Sequence, residues 1–233
     1  MRTLVLWDID HTLISIDGLS REIYGEAFHE VTGRPMDKLA DMAGKTDRAI
    51  VSETLRLHGI APAAEVITAF ADVLAAAFTA RQTEIKKRGR ELPGARTALT
   101  ELAARTDTVQ SVLTGNMKPI AVCKLTAFDL QGFVDFEVGA YGLDDAARAP
   151  LVGLARQRAK QKYGETFNAS TTVLIGDTPN DVDAGHRGGA RVVAMATGAS
   201  DADELRAAGA EIVLPDLTDT DAVVRAILQV STT

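Results

Sequence analysis

The sequence predicts an α/β fold, a doubly wound Rossmann-like core with a parallel sheet, interrupted by an inserted all-helical unit. Three observations predict it. A short apolar run, Thr3 to Trp7 (TLVLW), ends abruptly in Asp8, as a buried parallel strand does when its carboxyl end meets a site. From about Gly18 to Lys87 the apolar residues recur with a helical period and no strand pattern intervenes. Beyond Leu92-Pro93-Gly94, strand-like and helix-like stretches alternate, the rhythm of strands joined by covering helices.

Taken in order, Ile23, Ala27, Phe28 and Val31 mark a first helix that stops near Gly33, ahead of Pro35. A second runs from about Asp47 to Leu57 and stops at Gly59. A third, rich in alanine, runs from about Ala63 to Ile85, with Val66, Ala69, Phe70, Val73, Leu74 and Ala77 as its apolar stripe. Helix 95–104 then leads to a strand at Val109 to Leu113, a turn at Thr114-Gly115-Asn116, and a helix to about Phe128. A strand near Val134 to Val138 and a helix from about Pro150 to Tyr163 follow. Strands at Thr172 to Ile175, Arg191 to Ala196 and Glu211 to Leu214 alternate with helices near 181–188, 201–208 and 219–229. The expected division is a core of residues 1–14 plus 92–233 and a helical unit of residues 15–91. Its joints fall at 14–18 and 88–94, where Gly, Ser, Asp and Pro collect.

Composition narrows the function. With 233 residues, 46% of them apolar and 24% charged, the chain can bury a substantial core. A net charge of −7 argues against a nucleic-acid partner, which calls for a basic stripe. The short run Lys86-Lys87-Arg88 with Arg90 reads as a solvated helix end. No apolar run is long enough to span a bilayer, and the start of the chain lacks a signal-peptide pattern. One cysteine, Cys123, leaves no internal disulfide and reads as a buried small side chain. The expected setting is cytoplasmic, with no membrane and no obligate protein partner.

Ligands of open parallel sheets bind outside the carboxyl ends of the strands. Three such ends carry suggestive residues: Asp8-Ile9-Asp10-His11-Thr12, Thr114-Gly115-Asn116, and Gly176-Asp177-Thr178-Pro179-Asn180-Asp181. If these strands share one sheet, Asp8, Asp10, Asp177 and Asp181 converge on one edge. Two carboxylates about 4 Å apart repel by roughly 4 kcal/mol at an effective dielectric of 20, so protonation or a dication must relieve them. Oxygen-only ligands favour Mg²⁺. Such a site suits phosphoryl transfer, with Asp8, at the strand tip, as nucleophile and Asp10, in the loop, as proton donor and later as base for water. Thr114, with backbone amides at the helix start after Asn116, can bind phosphate oxygens.

Those three motifs, in that order and flanking an insert of this size, resemble the haloacid dehalogenase superfamily, in its branch of phosphoglycolate phosphatases and β-phosphoglucomutase-like proteins with a helical cap. The resemblance implies a five-stranded parallel core and a cap that closes over substrate. It further implies Asp8 as nucleophile and Mg²⁺ ligand, and Asp10 as general acid/base binding the metal through its backbone carbonyl. Asp177 is implied as a metal ligand, and Asp181 as a further ligand or its support. The motif-two residues Thr114, Gly115 and Asn116 are the expected phosphate contacts.

The chain departs from the family at two places. The usual motif-three lysine is missing, and Arg148 stands at about the right distance ahead of Asp177; an arginine keeps the charge and adds a planar fork. His11 replaces the commoner glycine, as an entrance residue or a loop filler. In Gly44-Lys45-Thr46-Asp47-Arg48, Lys45 or Arg48 meets a substrate carboxylate or hydroxyl, or else Thr46 or Asp47 simply caps the next helix with Arg48 in solvent. Lys118 and Lys124 read as solvated helix residues, Asp183 as pointing away, Asp144 and Asp145 as loop acids, and Trp7 as core. Hydrolysis of a small phosphorylated metabolite is the leading expectation, with a phosphomutase as the alternative. A C–halogen hydrolase is disfavoured by Asp10, and a phospho-receiver module by the helical insert.

Overall fold

The computed structural model describes residues 2–16 and 18–228. Its main sheet has five strands: β1 (Thr3–Trp7), β4 (Thr108–Val112), β5 (Thr172–Gly176), β6 (Arg191–Met195) and β7 (Ile212–Leu214). They lie in the order β4-β1-β5-β6-β7, and every pairing is parallel. β1 is therefore flanked by β4 and β5, which sets Asp8, Thr114 and Asp177 on neighbouring strand ends. The alternation of side chains along β1 sorts its residues between the two faces. Val5 and Trp7 belong to one apolar cluster and Leu4 and Leu6 to another.

The first face is covered by α5 (Ala95–Ala103), α6 (Lys118–Ala127) and α10 (Thr220–Leu228), the second by α7 (Ala149–Tyr163) and α8 (Pro179–Gly188). α9 (Ala202–Ala207) precedes β7. Caps fix several of these starts. Thr178 and Asp181 form a capping box on α8, and Asp201 and Glu204 form one on α9.

Residues 19–88 hold α1 (Leu19–Thr32), α2 (Asp47–Leu57), α3 (Ala64–Ala80) and α4 (Gln82–Arg88). α1 ends at Gly33, whose φ of 68° is the left-handed C-cap that glycine adopts without a Cβ penalty. Phe28, Phe70 and Phe78 from these helices share one buried cluster with Trp7 and Ile120, so helical insert and sheet are packed together through continuous apolar contact.

Three sequence expectations change. The single alanine-rich helix is broken at Arg81, whose guanidinium reaches Glu22 and Glu26 on α1 and Glu84 on α4. The strand expected near Val134 to Val138 does not form. The Asp135 side chain accepts the Glu137 N–H at 3.0 Å and turns the chain off the ladder, leaving a 3₁₀ turn at Gln131–Phe133 and an isolated bridge between Leu113 and Ala140. The joints are also more ordered than loops, because β2 (Ile14–Ser15) pairs antiparallel with β3 (Arg90–Glu91) where the chain enters and leaves the helices.

Candidate active site

Asp8 follows β1 directly. Its N–H continues the ladder to the Ile175 carbonyl at 2.8 Å, which fixes the residue at the carboxyl edge. Asp177 follows β5 in the same way, and Asp181 sits in the first turn of α8. One carboxylate oxygen from each of these three lies within 4.8 Å of the others, and all three residues are buried. Thr12 donates to Asp177 Oδ1 at 3.4 Å. The Cβ of any larger residue at Gly198 would fall 1.8 Å from Asp177 Oδ2, so backbone is packed directly on that carboxylate.

Arg148 joins the group. It is buried just ahead of α7, with Nη2 3.1 Å from Asp8 Oδ1 and 2.7 Å from Asp181 Oδ1. The arginine expected in place of the missing lysine therefore stands beside the expected nucleophile. Its Nε has no hydrogen-bond partner, and the Asp181 contact is an ion pair by distance without hydrogen-bond alignment. Asp181 Oδ2 is occupied in the capping box, accepting from the Thr178 N–H at 3.1 Å and its hydroxyl at 2.6 Å.

Electrostatics follow from this crowding. Burial pushes the Asp8 carboxyl up to about 7, opposed by Arg148 and assisted by Asp181 and Asp10. Burial, with Asp8 and Asp181 adding to it, pushes Asp177 up to about 8. Three ionised carboxylates against one guanidinium would leave a formal charge of −2, which a divalent cation balances. The donors are all oxygen, the choice of a hard dication. The residues present thus fit a metal held by Asp8, Asp177 and Asp181.

Asp10 does not point its carboxylate into this group. Its side chain accepts from Asn116 Nδ2 at 2.7 Å and from Lys124 Nζ at 2.8 and 2.7 Å. Burial raises its pKa, but Lys124 and Asn116 outweigh that and leave it below the usual value. The expected convergence of four aspartate side chains is therefore three, with the fourth turned towards the end of β4. Lys124 corrects a second expectation: it is buried rather than solvated, because α6 turns this face to the site and Asp10 and Asn116 supply its acceptors. Lys118 does lie at the surface, paired with Glu137, and Asp183 is exposed and paired with Arg187.

Thr114 is fully buried; its hydroxyl oxygen accepts from the Asn116 N–H at 3.2 Å and Nδ2 at 2.8 Å. Gly115 makes close approach possible, since a Cβ there would sit 2.0 Å from the Lys45 carbonyl oxygen. The segment around Lys45 is stitched to this edge by backbone bonds from Asp47 to Gly115 at 2.7 Å and from Arg48 to Gly142 at 3.2 Å. The Lys45 and Arg48 side chains themselves are exposed, with Lys45 beside Asp41 at 3.3 Å. Thr46 caps α2 as read, and Asp47 does something sequence alone did not show: its carboxylate accepts the Met117 N–H at the start of α6. One amide expected to face phosphate is thus engaged. His11 has φ of 61°, the left-handed conformation that makes glycine commoner in such a turn.

The carboxylate cluster stands at the carboxyl edge of a doubly wound sheet, next to a cation and a helical insert. Residues 149–220 match the sequence model of the HAD-hydrolase-like family. Solved structures agree over nearly the whole length. A hydrolase from Pseudomonas syringae is 23% identical with a TM-score of 0.70, covering 97% of this chain and 99% of that one. CbbY from Rhodobacter sphaeroides, solved with phosphate, is 20% identical with a TM-score of 0.70, covering 94% and 96%. A structure described as a predicted phosphoglycolate phosphatase from Haemophilus somnus is 17% identical with a TM-score of 0.64, covering 96% and 98%. No curated protein sequence matches. Residues 149–220 thus match the HAD-hydrolase-like family by sequence, and the chain shares the fold of these solved structures over nearly its whole length.

Proposed function

We propose that the protein is a Mg²⁺-dependent phosphatase acting on a small phosphorylated metabolite through an aspartyl phosphate on Asp8. The carrying observation is the buried group of Asp8, Asp177 and Asp181 with Arg148 on the carboxyl edge. A structural neighbour solved with phosphate and one described as a predicted phosphoglycolate phosphatase support the same reading.

In this reading Asp8, Asp177 and Asp181, with the backbone carbonyl of Asp10, would hold Mg²⁺, which would supply positive charge to offset that of the substrate phosphate. Arg148 steadies Asp8 and Asp181 and offers its remaining donors to phosphoryl oxygens. Thr114, Gly115 and Asn116 line the phosphate pocket. The Asp8 carboxylate forms a bond to phosphorus as the P–O ester bond breaks, and the departing oxygen takes a proton from Asp10. Water then attacks the acyl phosphate, its proton passes to Asp10, and inorganic phosphate leaves with Asp8 restored. Residues 15–91 act as a cap, with Lys45 and Arg48 turning inward when substrate binds. The test is phosphate release from p-nitrophenyl phosphate and a panel of phosphorylated metabolites, with Mg²⁺ and with chelator. Turnover that needs Mg²⁺ and disappears in Asp8→Asn is expected; undiminished turnover in that variant refutes the scheme.

A further inference from the structure

Lys124 is a buried charge that the scheme above does not use. It stands on α6, its side chain is 3% exposed, and Nζ donates to Asp10 Oδ1 at 2.8 Å, Asp10 Oδ2 at 2.7 Å and Asn116 Oδ1 at 2.8 Å. These contacts match the three N–H donors of an ammonium. The same Nζ lies 5.4 Å from the centroid of Phe78, on α3. Asn116 completes the clamp by donating from Nδ2 to Asp10 Oδ2 at 2.7 Å. Such a burial is costly unless its partners are held in place, and here one partner is a loop carboxylate whose own side chain is 32% exposed.

The two Asp10 oxygens are not equivalent in this clamp. Each carboxylate oxygen has two lone pairs. Oδ2 accepts from both Lys124 and Asn116 and is filled, whereas Oδ1 accepts from Lys124 alone and keeps one lone pair. We propose that Lys124 is a positioning residue which, with Asn116, fixes the Asp10 carboxyl so that Oδ1 is the oxygen that carries and delivers the proton. This inference rests on the phosphatase reading. As the bond from Asp8 to phosphorus forms and the ester P–O bond breaks, the proton on Oδ1 goes to the departing oxygen; in the second half, the attacking water returns a proton to Oδ1. Lys124 keeps its own protons throughout.

A positioning role predicts a dependence on leaving-group basicity that simple destabilisation does not. Phenoxide needs protonation more than p-nitrophenoxide does, and kcat/KM covers steps only through leaving-group release. Wild type, Lys124→Met, Asp10→Asn and the double variant would be assayed with Mg²⁺ on phenyl phosphate and p-nitrophenyl phosphate. Well-placed general acids contribute about 10²- to 10⁴-fold. Lys124→Met is therefore expected to lose about 100-fold in kcat/KM on phenyl phosphate and less than about tenfold on p-nitrophenyl phosphate. Adding Lys124→Met to Asp10→Asn is expected to cost little more on phenyl phosphate, and this comparison serves where the single variant folds poorly. Equal losses on both esters, or a further large loss in the double variant, overturn the positioning role while leaving the phosphatase reading intact. Wild-type protein that cleaves neither ester overturns both.

Discussion

The carboxylate of Asp47, first residue of α2, accepts the backbone N–H of Met117 at the entrance to α6 at 2.7 Å. Its other oxygen accepts the Tyr24 hydroxyl from α1. Helices of the insert thus cap a helix of the sheet, through a side chain that is only 4% exposed. Burial raises the Asp47 pKa against its two hydrogen-bond donors, so removing the acid also relieves a desolvation cost. The donors left behind outweigh that relief, at about 1–3 kcal/mol for each buried unsatisfied group. Asp47→Ala is expected to lose about 2 kcal/mol in urea unfolding and Tyr24→Phe about 1 kcal/mol. A loss below about 0.5 kcal/mol for Asp47→Ala would show that the contact holds nothing.

Arg148 is the only cation that contacts Asp8 among the described residues. Removing a charge aimed at a reacting group typically costs about 10²- to 10³-fold in turnover, and Arg148→Met is expected to lose that much phosphate release. Arg148→Lys should recover part of it. One ammonium replaces the charge but sits on a shorter, differently shaped side chain than the guanidinium whose Nη2 reaches both Asp8 and Asp181. Equal activity in Arg148→Met and wild type would remove this residue from the mechanism.

Stability of the metal-free protein should fall as pH rises. Asp8 and Asp177 have folded-state pKa values raised from 3.8 to about 7 and about 8. Between those limits the folded protein binds more protons than the unfolded chain, so stability declines with rising pH. Their favourable protonated state is fully present below about 3.8 and is lost through pH 7 to 8. Thermal melts in chelator should show a lower Tm at pH 8.5 than at pH 5.5, on the order of 5 °C. Added Mg²⁺ should restore it at pH 8.5 and have little effect at pH 5.5, since ligands must be ionised to bind. A Tm in chelator that does not fall across this interval would contradict the assigned protonation.

Gly198 tests the metal site without replacing a ligand residue. A methyl group there would lie 1.8 Å from Asp177 Oδ2, so Gly198→Ala must displace that carboxylate or its own loop. Calorimetric titration with Mg²⁺ is expected to show affinity about tenfold weaker, comparable to disturbing a group that orients a ligand. Unchanged affinity with a retained fold would place the ion elsewhere.

Much of the architecture was legible because local patterns announce it. The run from Thr3 to Trp7 is apolar on both faces and ends in Asp8, and it forms the central strand β1. Helix α2 begins and ends where Thr46, Asp47 and Gly59 indicated. The segment from Val134 to Val138 misled because Val134 and Val138 are buried without forming a strand: Asp135 turns the backbone through its own side chain. The break at Arg81 was hidden for a related reason, since its partners Glu22 and Glu26 lie far away in sequence.

At the site, the spacing of Asp8, Asp177 and Asp181 after apolar strands determined that these acids meet, because parallel strands in register bring their carboxyl ends to one edge. The charge needed ahead of Asp177 was equally visible, as Arg148. Only tertiary structure decided that Asp10 turns from that group to Lys124 and Asn116, and that Asp47 reaches across to Met117. A strand end fixes where a backbone stops, but a loop carboxylate or a lysine on a nearly all-apolar helix face takes its direction from whichever partner is packed within reach. Periodicity along a chain carries the first kind of information and none of the second.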